Sequence, residues 1–222
     1  MLVQVRGRGL RPGPSIAARL GILGGMFNPP HLGHLVCAQE AHAQLGLDAV
    51  LFMPVAVPPH KEATEDPGAE HRFELCRLAV RDDERFAVSR LEIERGGPSY
   101  TVDTLTALRE RHPEDELIFI AGGDMAASLP TWNEPERVLE LASFAVAERR
   151  GAVREDVIER WRALGAAAPR EPLFLDMPRV DVSSSEVRRR VREGRPVRYL
   201  VPDAVAGYIE ARGLYRSAVA SP

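Results

Sequence analysis

The most informative stretch of this chain is residues 24–34, Gly24-Gly25-Met26-Phe27-Asn28-Pro29-Pro30-His31-Leu32-Gly33-His34. This stretch follows the apolar run Leu20–Leu23, which predicts a short buried strand, and leads into Leu35–Leu47, which predicts a helix. A tight glycine turn between a strand and a helix lets backbone N–H groups approach a phosphate, and the helix dipole favours an anion there. We therefore expect a phosphate-binding site at this turn.

Two histidines, His31 and His34, lie on either side of Gly33 where the helix begins. Imidazole rings in that place can donate hydrogen bonds to a chain of phosphates. Their spacing of three residues also suits a metal pair, but zinc recruits three or four protein ligands and no Cys or acidic cluster lies beside them. A polar cap without chemistry is the other reading. Two histidines on one glycine turn favour phosphate, and we predict no metal held by the protein.

The composition of the 222 residues is that of an ordinary globular protein, with 45% hydrophobic and 27% charged residues. The net charge of -3 argues against electrostatic capture of nucleic acid, and no apolar run is long enough to span a membrane. The two cysteines, Cys37 and Cys76, form no C-x-x-C pair and fit buried thiols in a reducing cytoplasm, where we expect the protein. Residues 1–18 carry Gly, Pro and Arg without the apolar core of a secretory signal, and we expect a disordered extension.

Short apolar runs alternate with helical patterns along the rest of the chain. Continuous apolar strands between helices indicate a parallel sheet covered on both faces. We predict an α/β fold, a Rossmann-like doubly wound parallel sheet with helices on both faces and a C-terminal helical segment. The predicted strands are Leu20–Leu23, Ala49–Met53, Leu117–Ala121, Ser143–Ala147 and Leu173–Leu175, and the predicted helices are Leu35–Leu47, His71–Arg81, Thr101–Arg111, Pro135–Leu141 and Arg154–Leu164.

A second candidate anion site lies near the C-terminal end. Ser183 and Glu186 match a capping box, so a helix is expected to begin there. The hydroxyl groups of Ser184 and Ser185 lie beside its free N–H groups, and Arg188, one turn further, can reach a bound anion. An ordinary capped helix with a basic face is the alternative. The arginines that follow are expected to be solvated: Arg189, Arg190 and Arg192.

Lys61, the only lysine of the chain, follows His60 in a stiff proline-led loop that begins at Val57. An exposed lysine on a solvated loop and a lysine that contacts a ligand are both open interpretations.

The first turn and the Ser183–Arg188 segment resemble the H-x-G-H nucleotidyltransferase superfamily, with Ser185 where members carry threonine. Narrower features resemble bacterial nicotinate-nucleotide adenylyltransferases, and this resemblance runs from about Leu20 to Arg216. These features are Val57–Lys61, Pro98–Thr101, Phe119–Asp124, Pro130–Trp132, Arg149, Tyr199–Pro202 and Gly213–Tyr215.

This resemblance implies adenylyl transfer from ATP to nicotinate mononucleotide, which gives deamido-NAD and pyrophosphate. It implies Mg²⁺ carried on the ATP phosphates. From the net charge and the lack of a long apolar run, we expect neither nucleic acid nor a membrane as a partner. It also implies a single nucleotidyltransferase domain at residues 19–216, followed by a tail at residues 217–222. The oligomeric state is open, a homo-oligomer included.

The resemblance also assigns roles to residues. Catalytic roles fall to His31, His34 and Arg188. Substrate contacts fall to the backbone of Gly24, Gly25, Met26 and Phe27, and to His60, Lys61, Tyr100, Thr101, Gly122, Asp124, Trp132, Arg149, Ser184 and Ser185. Trp132 would stack on the pyridine ring with Tyr100 and Thr101 nearby, and a buried core tryptophan is the alternative reading of that residue.

Four positions depart from the family pattern. Asn28 stands where many members have Asp, and Met26 replaces a small hydroxyl residue. Val55 and Ala56 replace asparagines.

Other assignments are open. Pantetheine-phosphate adenylyltransferases, cytidylyltransferases and aminoacyl-tRNA synthetase fragments share the first motif, and a catalytically silent nucleotide-binding protein could keep the fold.

Overall fold

The computed structural model describes residues 17–58, 65–148, 154–162 and 171–216, without the side chain of residue 148. Within these residues six strands pair into one sheet: β1 Arg19–Gly25, β2 Ala49–Pro54, β3 Phe86–Val88, β4 Glu116–Gly122, β5 Ser143–Glu148 and β6 Leu173–Asp176. All pairs are parallel, and the strand order is β3-β2-β1-β4-β5-β6. The order reverses between β1 and β4, where ligands of such sheets bind.

The helices of the described residues connect these strands and follow the last one. They are α1 Leu32–Leu45, α2 Ala69–Val80, α3 Leu91–Arg95, α4 Thr101–Arg111, α5 Gly123–Ala127, α6 Pro135–Leu141, α7 Arg154–Arg162, α8 Ser184–Arg192 and α9 Asp203–Ala211, with a 3₁₀ turn at Leu129–Thr131. Among them, none has both the length and the apolar character needed to cross a membrane.

The predicted Rossmann-like fold is confirmed, and all five predicted strands are present. Two predicted helices, α4 and α6, have the observed bounds. Helix α1 begins three residues before its predicted start and ends two residues early, because Gly46 turns left-handed at φ 59°. Strand β3 was missed, since three partly buried residues give too short a pattern. The end of the helix predicted to reach Leu164 lies outside the described residues.

The core lies on both faces of the sheet, as expected for parallel strands. Every residue of β2 is buried. Successive residues such as Leu51 and Phe52 point to opposite faces of the sheet and belong to two different apolar clusters. A third cluster joins the C-terminal helices to α2 through Leu75, Val187 and Val205. This packing carries α8 to the end of the sheet at which β1 ends.

The folded part of the chain includes Ala18, which we had assigned to the extension. Its N–H donates to Oδ1 of Asp115 at 2.9 Å, and its carbonyl accepts from the N–H of Glu116 at 2.8 Å. Residues 1–16 and 217–222 lie outside the described residues. Cys37 and Cys76 are buried, as predicted, and burial raises the pKa of the Cys76 thiol.

Candidate active site

The turn after β1 differs from the predicted glycine turn. Gly24 and Gly25 are the last two residues of the strand, and the turn begins at Met26. A Cβ on Gly24 would lie 2.9 Å from the Phe119 ring, so close packing against β4 requires this glycine. The left-handed residue of the turn is Phe27, with φ 48° and a buried side chain. The backbone of Met26 and Phe27, not a glycine loop, therefore forms the mouth of the site.

The two histidines are held together at the start of α1. His31 is the N-cap, and its backbone N–H donates to Nδ1 of His34 at 3.1 Å. Because Nδ1 accepts this bond, a neutral His34 ring carries its proton on Nε2, which becomes a donor. The ring centroids lie 3.8 Å apart, and a Cβ on Gly33 would come within 3.0 Å of the His31 ring. The glycine of H-x-G-H therefore makes room for a histidine.

The N-terminus of α1 is less open than the sequence suggests. The N–H of Leu32, the first residue of the helix, donates to the carbonyl of Leu200 at 3.0 Å. The first backbone N–H groups of a helix have no partner within the helix. The segment before α9 accepts from one of them, so this N–H group is not available to a phosphate.

The second motif folds as predicted and reaches the first. Ser183 caps α8 and accepts from the N–H of Glu186 at 3.1 Å. Arg188 Nη1 donates to the carbonyl of Asn28, 160 residues earlier, at 2.8 Å. The hydroxyl of Ser184 donates to the Pro29 carbonyl at 2.8 Å and ties α8 to the turn. The motifs thus form one surface.

Sequence reasoning missed Glu65, which lies against the predicted phosphate arginine. Arg188 Nε donates to its carboxylate at 3.0 Å, and Arg192, which we expected to be solvated, donates to the other oxygen. The Arg188 guanidinium holds the pKa of Glu65 below its usual range. Asn28, the departure from the family pattern, is buried and donates from Nδ2 to the Glu65 carbonyl at 3.3 Å, which an aspartate could not do. No local signal links residues so far apart in sequence.

The adenosine residues predicted at the end of β4 lie at the reversal of the strand order. Gly122 is the exposed last residue of β4, and Asp124 is exposed in the first turn of α5. Since β4 pairs directly with β1, both residues lie beside the first turn.

Residues 54–58 and 98–101 form the other wall of the site. Val57 and Pro98 form a parallel bridge, and the N–H of Ser99 donates to the Val57 carbonyl at 2.9 Å. Tyr100 is the N-cap of α4, and Thr101 is its first residue. Helix N–H groups at that position suit a carboxylate.

Trp132 has features of both interpretations from sequence, a tryptophan that stacks on a substrate ring and a tryptophan of the core. Its side chain is half-buried and meets the Phe119 ring edge-on, with centroids 5.9 Å apart. Its indole N–H donates to Oγ of Ser128 at 3.0 Å. The ring is therefore fixed by core contacts and keeps part of its surface open.

A buried carboxyl group, which the sequence did not reveal, lies beneath this wall. Glu92 is 6% exposed and accepts from the hydroxyl of Thr104 at 2.7 Å. Burial raises its pKa, although hydrogen bonds from Ser99 and Thr104 oppose that shift.

Three predicted contacts, His60, Lys61 and Arg149, lie outside the described residues. In the part of the chain that the structure describes, no group of three or more His, Cys, Asp or Glu side chains could hold a metal ion.

A parallel sheet with its reversal between β1 and β4, a histidine pair at one helix start and an arginine from α8 define a nucleotidyltransferase. Residues 22–190 match the cytidylyltransferase-like family model. The chain belongs to the nicotinate-nucleotide adenylyltransferase family. It is 41% identical over 199 residues to the Bacillus subtilis nicotinate-nucleotide adenylyltransferase, covering 90% of this chain and 99% of that one.

A Thermus thermophilus relative, named "Probable nicotinate-nucleotide adenylyltransferase", is 50% identical over 198 residues, which are 89% of this chain and 100% of its own. Among solved structures, the Plasmodium falciparum nicotinic acid mononucleotide adenylyltransferase complexed with NaAD matches with a TM-score of 0.73 at 18% identity. The match covers 89% of this chain and 97% of that one, and at this identity it supports the fold alone.

Proposed function

We propose that this chain transfers the adenylyl group of ATP to nicotinate mononucleotide and releases pyrophosphate and deamido-NAD. The observation that carries the proposal is the 2.8 Å hydrogen bond from Arg188 to the Asn28 carbonyl, which joins two phosphate-binding motifs at the strand-order reversal. Relatives that match over nearly their whole length and bear the enzyme's name support the choice of acceptor. Residues 19–216 would act as the single catalytic domain.

The reaction needs little acid–base chemistry from the protein. The 5′-phosphate of the mononucleotide, ionised at neutral pH, attacks the α-phosphorus of ATP in line. The new P–O bond forms as the bond to the β-phosphate oxygen breaks, and the electron pair leaves with pyrophosphate. Catalysis then consists of positioning and of donors that meet the charge on the α-phosphate and the leaving group.

The site supplies such donors from both motifs. The Nε2–H of His34 would donate to a phosphate oxygen, because Nδ1 of that ring is engaged by the His31 N–H. The ring of His31 packs against that of His34, with the ring centroids 3.8 Å apart. Arg188 would exchange Glu65 for a phosphate, which is also negatively charged and offers more acceptor oxygens.

Mg²⁺ would enter the site as part of the substrate MgATP. The donor chemistry of the described residues fits this, because they include no cluster of three or more His, Cys, Asp or Glu side chains. Mg²⁺ usually keeps several waters and binds through substrate phosphates with few protein ligands. In that arrangement the ion neutralises phosphate charge while the protein residues orient the phosphates.

The test is pyrophosphate release from ATP with nicotinate mononucleotide, nicotinamide mononucleotide and phosphopantetheine compared side by side. We expect turnover with the first and at least about a tenfold preference over the second in kcat/KM. An N–H-lined site near Tyr100 and Thr101 suits a carboxylate, whereas an amide leaves a polar group mispaired at a cost of about 1–3 kcal/mol.

Each outcome of this assay decides between assignments. Equal kcat/KM for the acid and the amide would make the chain a dual-specificity enzyme. A preference for phosphopantetheine would replace the acceptor assignment altogether. Absence of pyrophosphate with every acceptor would favour a silent nucleotide-binding protein.

A further inference from the structure

Arg72, in the first turn of α2, is a fully buried cation next to the site. Its side chain has 0% exposure, and its Nε donates to Oδ1 of Asp66 at 2.9 Å. Burying a guanidinium costs several kcal/mol unless its donors are satisfied. One carboxylate satisfies only part of the group, so the remaining partners show what this arginine does.

Those partners are three carbonyl groups on the two loops that follow β1 and β2. Nη1 donates to the carbonyl of Met26 at 3.2 Å and to that of Val55, and Nη2 donates to that of Ala56 at 3.0 Å. Both loops lie at the C-terminal ends of their strands, where the substrates are expected. One side chain thus holds the backbone of both loops.

A carbonyl that is held in this way also fixes the N–H of the next residue. In a trans peptide the C=O and N–H bonds lie in the same plane and point in opposite directions. The Val55–Ala56 peptide shows the consequence, because its carbonyl faces Arg72 and the Ala56 N–H donates to Oγ of Ser99 at 2.9 Å. By the same geometry, the Met26 carbonyl on Arg72 directs the N–H of Phe27 away from α2.

We propose that Arg72 is a positioning residue that orients two peptide planes at once. The Met26–Phe27 plane aims a backbone donor at the phosphates, and the Val55–Ala56 plane holds the Ser99–Thr101 segment against the pyridine half. This inference rests on the proposed function for the identity of the substrates. In this arrangement Val55 and Ala56, which stand in place of asparagines, make their contacts through backbone atoms.

The experiment compares Arg72→Lys with Arg77→Lys, an exposed control on the same helix that pairs with Glu74. Lysine keeps the charge but lacks the planar fork with which arginine donates to three carbonyls and to Asp66 at once. We expect kcat to fall at least about tenfold for Arg72→Lys, with KM for ATP within about threefold, because misplacement acts mainly on the transition state. Arg77→Lys should match the wild type in both constants.

A second variant separates orientation from charge pairing. Asp66→Asn keeps an acceptor for Nε and leaves the three carbonyl contacts in place, so kcat should stay within about threefold. An equal loss in Asp66→Asn and Arg72→Lys would overturn the proposal in favour of a simple ion pair. Wild-type kcat in folded Arg72→Lys, or a loss that follows only its melting temperature, would also overturn it.

Amide resonances give a readout that needs no turnover. The signals of Phe27 and Ala56 should both move in Arg72→Lys and stay in place in Arg77→Lys, and unmoved signals would refute the orientation. If the wild type releases no pyrophosphate, the proposed function fails while this readout still decides the inference.

If Arg72→Lys does not fold, Ser99→Ala takes its place and should raise KM for nicotinate mononucleotide at least about threefold. Unchanged constants there would overturn the proposal.

Discussion

The candidate site has two sides, which we name the phosphate side and the pyridine side after the substrate groups proposed above, and different kinds of contact hold them together. The phosphate side, residues 24–34 with α8, is joined by side chains that reach across the chain, such as Arg188 to the Asn28 carbonyl and Ser184 to that of Pro29. The pyridine side, residues 54–58 and 98–101 with Trp132, is joined mainly through backbone atoms. We therefore expect side-chain identity to be critical on the phosphate side, whereas residues 54–58 should tolerate substitutions that keep their backbone path.

One carboxyl group on each side shows the same contrast in electrostatics. Glu65 lies against Arg188 and Arg192, and these arginines lower its pKa. Glu92 lies beneath the pyridine side, where burial raises its pKa. On the phosphate side a carboxylate is paired with two arginines, whereas on the pyridine side a carboxyl group is buried and accepts a hydrogen bond from the Thr104 hydroxyl.

The largest effect is expected on the phosphate side, from His34→Ala. Removing one preorganised donor to a developing charge typically lowers kcat by about a hundredfold or more. KM for ATP should change much less. The matched control is His42→Ala on the same helix, which should leave kcat near the wild-type value. Unchanged turnover in folded His34→Ala would contradict the role of the phosphate side in catalysis, because the histidine pair would then be only a helix cap.

Arg188→Lys should have the next largest effect. The guanidinium spans the Asn28 carbonyl and an anion at once, and an ammonium cannot reproduce that planar fork. We expect kcat/KM for ATP to fall about tenfold or more with charge conserved. Arg189→Lys is the control, since Arg189 is exposed and pairs with Glu186 and Glu193. Equal activity of the two variants would make Arg188 a surface charge.

The sequence predicted the parts of this molecule whose signals are local. The apolar runs gave the parallel sheet, and Ser183 with Glu186 gave the start of α8. The first turn was located correctly, but its details were not. Gly24 is needed for packing against Phe119, a contact that depends on the pairing of β1 with β4 and that no local pattern contains.

The contacts that complete the site join distant residues, and for that reason they could not be predicted. Glu65 and Arg188 are 123 residues apart in sequence. The sequence around Arg72 does not distinguish it from other helix arginines, because its partners lie on two loops elsewhere in the chain. Strand β3 is too short to produce a pattern. A single sequence reports which side chains carry chemistry, whereas tertiary packing decides which of them meet.

Trp132→Ala sharpens the comparison from the pyridine side. Stacking on a ring is worth about 1–3 kcal/mol, so KM for both pyridine mononucleotides should rise about tenfold while KM for ATP stays within about twofold. The acid-to-amide preference should persist, because stacking does not distinguish the substituents. Trp132→Phe keeps a ring against Phe119 and should lose less. A change in KM for ATP alone would move Trp132 to the phosphate side.

The smallest effect is expected from Glu92→Gln, measured as stability. Because burial raises the pKa of Glu92 above its ordinary 4.5, the folded chain keeps this proton at pH values where the unfolded chain has lost it. The folded state then binds more protons than the unfolded state, so the free energy of unfolding falls as pH rises through that window. Glutamine keeps an acceptor for the Thr104 hydroxyl and carries no charge to desolvate.

Urea unfolding of both proteins at several pH values on either side of 4.5 checks this expectation about Glu92. The stability of Glu92→Gln relative to the wild type should increase as pH rises, by an amount within the ~0.5–3 kcal/mol of ordinary single substitutions. Glu70→Gln is the control, because Glu70 is exposed and Arg90 lowers its pKa. As pH rises through the values just below 4.5, that variant should lose stability relative to the wild type, which is the opposite sign. A difference for Glu92→Gln that does not vary with pH would show that the carboxyl group is not desolvated, and the pyridine side would then be as accessible to charge as the phosphate side.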